Sequence, residues 1–144
     1  SLEAFQYYVQ VLDYVSELSN SLVAMSSPIY DHIHNNHKGL KSDQHTELQN
    51  LAEQTSSFFN LLIHIEKEQR FADLDDAIRQ QQLLVALLDD LRKNQIKRIR
   101  EGESRTKVSV LYMDVIAETK NVMLYAINII KSHRDFVNAI STNL

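Results

Sequence analysis

Residues 104–133 read SRTKVSVLYMDVIAETKNVMLYAINIIKSH. Wound as a helix, the stretch is apolar almost all the way round, and a helix of that kind is buried among other helices. It therefore predicts a helical bundle. It also carries Asp114 and Glu118 one turn apart, and charged residues in such surroundings need a partner or a purpose. The segment before it, Arg98-Ile99-Arg100-Glu101-Gly102-Glu103-Ser104, ends one helix and starts the next.

The rest of the chain supplies three more helices. A first helix over about residues 2–26 has Phe5, Tyr8, Leu12, Val15 and Leu22 at 3–4 spacing, with Val11, Leu18 and Met25 alongside. This is the expected core face. Pro28 predicts a kink, after which helix continues to about His37 and is closed by Gly39. A second helix starts near Ser42 or Asp43 and carries the seam Leu48, Leu51, Thr55, Phe58, Leu62 and Ile65. Asp73 reads as the cap of a third helix from Leu74 to about Glu101, with Ile78, Leu84, Leu87, Leu88, Leu91 and Ile99 inward. Gly102 follows its end, as a left-handed cap requires. Ser104 is the expected cap of the last helix, which turns Val108, Leu111, Val115, Val122, Ala126 and Ile129 inward and frays after Phe136. Short connections between long helices make neighbours antiparallel. The fold class is all-α, an up-down antiparallel four-helix bundle.

Composition agrees and narrows the function. The chain has 144 residues, only 2 Gly and 1 Pro, 44% hydrophobic residues and a net charge of −4. That length fits one domain over residues 1–144. The charge argues against a generic nucleic-acid binder, which needs a basic surface. The absence of Cys excludes disulfides, thiolate metal sites and Cys nucleophiles. No nucleophile elbow, Gly-rich phosphate loop or HExxH motif is present, so no enzyme is expected. No run of ~18 apolar residues predicts a membrane span. Ser1-Leu2 reads as a cloning remnant, and the chain as a fragment of something longer.

Three groups of residues are candidates for chemistry. Asp114 and Glu118, spaced i, i+4, place two carboxylates on one helix face and suit a hard cation. The simpler reading is a polar contact to Arg92, Lys93 or Lys97 of the third helix; a fuller metal site would need Asp89 or Asp90 as well. His32, His34 and His37 sit near Asp31, most simply as a solvated helix end. Arg92, Lys93, Lys97, Arg98, Arg100, Arg105 and Lys107 gather at the third turn, where cations complement a helix C-terminus and an anion could meet the next N-terminus. The run Phe58-Phe59 with Leu61-Leu62-Ile63 is more apolar than one seam requires, and core packing is its simplest account against contact with a second copy.

Around that third turn the sequence resembles a known family. Arg98-Ile99-Arg100-Glu101-Gly102, a short Ser/Thr-containing link, then Leu111-Tyr112-Met113-Asp114-Val115-Ile116 are similar to the PhoU-like helical domain at the C-terminus of bacterial sodium/phosphate cotransporters. Ala126-Ile127-Asn128-Ile129 also fits that pattern. The resemblance implies a non-catalytic regulatory domain on the cytoplasmic side of the bacterial inner membrane. Its partner would be the transmembrane part of the same polypeptide, with a homodimer and direct phosphate binding left open. No cofactor is implied. Free-standing PhoU regulators bind metal clusters through acidic motifs, but Lys120 and Leu124 stand where the family pattern carries further acidic ligands, and Asn121 where it carries an arginine. The metal reading of Asp114 and Glu118 is therefore not carried over. The alternatives are a soluble PhoU-type signalling adaptor and, more weakly, a carboxylate metal-binding bundle.

Overall fold

A computed structural model describes residues 1–142. Four helices follow in order: α1 (Leu2–His34), α2 (Ser42–Glu68), α3 (Leu74–Arg100) and α4 (Thr106–Ser141), with a single 3-10 turn, Phe71–Asp73, leading into α3. The architecture is the all-α four-helix arrangement that the sequence predicts.

The ends of the first three helices share one device. Glu103 N–H reaches back to the Arg98 carbonyl at 2.8 Å and Gly102 N–H to Ile99 at 3.2 Å, while Gly102 takes φ 70. This paired closure satisfies carbonyls that the helix end would leave bare. The ends of α1 and α2 close in the same way on non-glycine residues, Asn36 and Gln69, both at φ 51. Asn36 thus does the work expected of Gly39, and α1 stops at His34 rather than His37. Pro28 lies inside the continuous α1. At the other end of the chain α4 does not fray after Phe136. It stays helical to Ser141, with Ala139 buried.

The core sits between α2, α3 and α4. Leu51, Phe58, Leu62 and Ile65 of α2 meet Leu84, Leu88 and Leu91 of α3, and Tyr112, Met123 and Ile127 of α4 close it. The expected seams of α2 and α3 are therefore the real ones, except that Ile99 is exposed and Leu74 and Ala77 are buried in addition.

α1 is placed differently. It packs along α4 and makes no comparable contact with α2 or α3. The residues it turns towards α4 are Ala4, Tyr7, Val11, Tyr14, Leu18 and Ser21, continuing to Met25. Only Ala4 and Ser21 of the helix are fully buried. Ser132 Oγ lies 3.4 Å from Gln10 Oε1, and Thr119 Oγ1 lies 3.8 Å from the Met25 sulfur, which sets an antiparallel register. The predicted core face of the first helix is thus split: Val11, Leu18 and Met25 meet α4, but Phe5 is 61% exposed and Leu12 51%, and Tyr8, Val15 and Leu22 are exposed with them. The cause is that α1 carries two adjacent apolar stripes. The stripe with the small residues Ala4 and Ser21 lets the two backbones come together, and periodicity alone does not rank one stripe over its neighbour.

Candidate functional site

At the end of the bundle where α2 begins and α3 turns into α4, the core changes from apolar to polar. The 3–4 spacing of Leu84, Leu88 and Leu91 continues into Gln95 and Arg98, so both side chains point inward; Gln95 is 0% exposed and Arg98 6%. A buried guanidinium must be neutralised and hydrogen-bonded. Here Nη2 meets Glu47 Oε2 at 2.7 Å and Nη1 meets Asp43 Oδ2 at 2.9 Å, both acids coming from the first turns of α2. Arg98 Nε donates to Gln95 Oε1 at 2.9 Å, and the group lies 5.2 Å over the ring of Tyr112 on α4. The Tyr112 hydroxyl donates to Glu47 Oε2 at 2.5 Å, and Asn94 Nδ2 donates to Oε1 of the same carboxylate at 3.0 Å.

A second layer of amides and hydroxyls backs this pair. Gln44, fully buried, donates to Gln95 Oε1 at 2.9 Å and accepts from the Lys41 backbone N–H at 2.9 Å. Gln95 Nε2 donates to Ser104 Oγ at 3.0 Å and Ser109 Oγ at 3.1 Å. Ser104 is therefore not the cap of α4. Its hydroxyl belongs to this network, and Arg105 occupies the cap position with no side-chain bond to the helix.

The electrostatics follow from the geometry. Desolvation alone would raise the Glu47 carboxyl, but the hydrogen bonds from Arg98, Tyr112 and Asn94 outweigh it and hold the group below the ordinary carboxylate range. Asp43 is likewise lowered: burial works against it, and the Gln44 backbone N–H and Arg98 overcome that. Burial first, then the Glu47 charge and hydrogen bond, push the Tyr112 hydroxyl well above its usual value. Arg98 is raised by Glu47 against its own desolvation. All members are held in their resting charge states, and the network joins three helices.

The acid pair singled out in the sequence lies elsewhere. Asp114 is half-buried and lines a cleft of about 290 Å³ with Asp31 and His32 from the end of α1, His37 from the loop after it and Lys107 from α4. It faces α1, away from the expected partners on α3. Lys93 approaches Asp90 and Lys97 approaches Glu101 within α3, and Asp89 and Asp90 are exposed. Glu118 accepts a 3.4 Å bond from Asn121. Among the described residues no three His, Asp or Glu side chains come together as a metal site.

Of the His trio, His32 Nε2 bonds the Lys38 carbonyl at 2.9 Å, and His37 lies 3.2 Å from Lys107. Partial desolvation, then the Lys107 and His32 charges, lower the His37 imidazole. His34 stacks on Tyr30 instead. Of the basic cluster, only Arg98 turns inward. Lys38, Lys41 and Arg105 rim a neighbouring cleft of about 320 Å³ above Gln44 and Ser104.

The structure also has an apolar site. Leu18 of α1, Phe59, Leu62 and Ile63 of α2, and Ala126, Ile129 and Ile130 of α4 line an open cleft of about 320 Å³ with Glu66 and Lys67 at its rim. Ile63 is 61% exposed there. Val15 and Leu22 stand one turn either side of Leu18, so the exposed stripe of α1 continues the apolar wall. Fold and sites together define a class, an all-α scaffold with a polar lock at one end and an uncovered apolar helix face along one side. The chain matches no family model, no curated protein and no solved structure. No helix among the described residues is long and apolar enough to cross a membrane.

Proposed function

We propose that the chain is a non-catalytic regulatory domain of a sodium-dependent phosphate transporter, on the cytoplasmic side of the membrane, acting through helix–helix contacts. The observation that carries the contact part is the outward stripe of α1: Phe5, Tyr8, Leu12, Val15 and Leu22, all exposed beside an apolar cleft. Apolar patches of this extent on a soluble surface mark interaction sites. Anchors at 3–4 spacing and a groove beside them are the two halves of helix-in-groove recognition. The transport part rests on the resemblance of residues 98–116. Of the residues that carry it, Arg98, Gly102 and Tyr112 act in this fold as turn and lock, which is how a docking scaffold is held rigid, while Asp114 lines the cleft against α1 instead.

The test is sodium-dependent uptake of radiolabelled phosphate by cells expressing the parent reading frame, with and without Leu12→Glu. Transport is expected to lose its response to external phosphate in the variant. A parent reading frame without a block of apolar spans, or uptake indifferent to the substitution, overturns the reading.

A further inference from the structure

We propose that the partner of this face is a second copy of the chain, each copy's α1 lying antiparallel in the cleft between α1 and α2 of the other. The inference names the partner of the helix-docking face and so rests on that reading.

Three observations select a second copy. The first is that one surface holds both the ligand and its receptor. The stripe of α1 presents Phe5, Tyr8, Leu12, Val15 and Leu22 at helical spacing, and the cleft beside it is walled by Leu18, Phe59 and Ile63. A two-fold contact uses the same patch on both partners and needs such self-complementarity.

The second is register. A two-fold axis must pass through the middle of the stripe, between Leu12 and Val15. In the α1–α4 register, Ala126 to Ile130, the floor of the cleft, lie level with residues 13–17 of α1. The cleft is centred where the axis would fall.

The third is charge. α1 has no Lys or Arg, and its carboxylates Glu3, Asp13, Glu17 and Asp31 all project from the half of the helix opposite the stripe. Two α1 helices can therefore meet without like charges across the contact. The size is sufficient. The stripe is roughly 26 Å long at 1.5 Å per residue, and stripe plus cleft are roughly 20 Å across. That gives on the order of 1,000 Å² over both copies, where specific interfaces begin.

The test uses sedimentation equilibrium and site-directed cross-linking of the full chain, which has no native Cys. The wild type is expected to sediment as a dimer with a micromolar Kd, and Leu12→Glu as a monomer with unchanged far-ultraviolet circular dichroism. A short bis-maleimide is expected to link Leu12→Cys into dimers and to leave Glu17→Cys, about 7.5 Å further along on the opposite side of α1, as monomer. The cysteine pair keeps the question answerable should the glutamate variant unfold. A wild type that stays monomeric at high micromolar concentration overturns the second copy, while the docking reading then still stands or falls on phosphate uptake. Equal linking of Leu12→Cys and Glu17→Cys overturns this face as the interface.

Discussion

Arg98 of α3 and Glu47 of α2 are locked together at 2.7 Å, with the Tyr112 hydroxyl of α4 on the same carboxylate oxygen. Three helices meet in this one contact. Removing one member of a buried pair leaves the other charge uncompensated, which is costlier than the pair is worth. Asp43 stays as a partial partner, so Glu47→Ala is expected to lower unfolding stability by about 2–4 kcal/mol in urea denaturation. Tyr112→Phe is expected to cost about 1–2 kcal/mol, for a lost bond to a charged acceptor. The double variant should cost less than the two added together. Strict additivity would show that the three side chains do not act as one unit.

The same network sets a pH dependence. Glu47 and Asp43 are both lowered in the folded state. The unfolded chain then binds more protons in acid, so their contribution is present above their ordinary values of 4.5 and 3.8 and is lost as pH falls through the folded values. Tyr112 works in the opposite sense. Its folded value is raised, so its contribution is present below its ordinary 10.0 and is lost as pH rises beyond that. Thermal denaturation across pH should show an acid limb that flattens in Glu47→Gln and an alkaline limb that flattens in Tyr112→Phe. An unchanged acid limb in Glu47→Gln would remove Glu47 from the account.

Gly102 is a backbone requirement rather than a packing one. It sits at φ 70, and an added Cβ would meet nothing within 4 Å. Gly102→Ala is therefore expected to cost about 1–2 kcal/mol from the left-handed conformation alone. Gly102→Asn should cost less, because Asn already closes α1 at the same φ sign. A neutral Gly102→Ala would mean that the turn relaxes to another closure. Gly39, with no positive φ and open space around it, should accept Ala freely.

Thr55 lies in the α2 seam with a buried hydroxyl that has no hydrogen-bond partner. Val has nearly the same shape without the polar atom. Thr55→Val is expected to raise the urea midpoint by about 0.5–1 kcal/mol in stability, since burying an unpaired hydroxyl is unfavourable. A destabilised variant would show that an ordered water satisfies the group.

What the sequence reveals, and what it hides, divides along physical lines. The α2 seam is legible because Leu51, Phe58 and Leu62 are apolar residues on a clean heptad, and burial of apolar surface is what periodicity records. The polar lock is hidden because Gln44, Gln95 and Arg98 are residue types that usually face water. The available signal was positional: Gln95 and Arg98 extend the stripe of Leu84, Leu88 and Leu91. Asp114 and Glu118 drew attention as charges on an apolar helix, yet both are only half-buried. The polar lock draws its charges from two helices and its tyrosine from a third, which no spacing within one helix can display. On α1, two neighbouring apolar stripes compete, and the choice was made by the small side chains of Ala4 and Ser21 rather than by hydrophobicity.

That choice has a dynamic consequence for α1. The helix rests on α4 with only two fully buried residues, whereas α2, α3 and α4 share a continuous core. Regions with little buried apolar area open at lower free energy than the global transition. In hydrogen exchange under native conditions, amides in the middle of α3, around Leu84 to Leu91, should exchange only through global unfolding. Amides of α1 around Val11 to Leu18 should exchange faster, through detachment from α4, and should slow as protein concentration rises if a second copy covers the stripe. Equal protection in α1 and α3 at low concentration would place α1 in the same cooperative unit as the core. It would show that the close approach at Ala4 and Ser21 holds α1 as firmly as the apolar core holds α3.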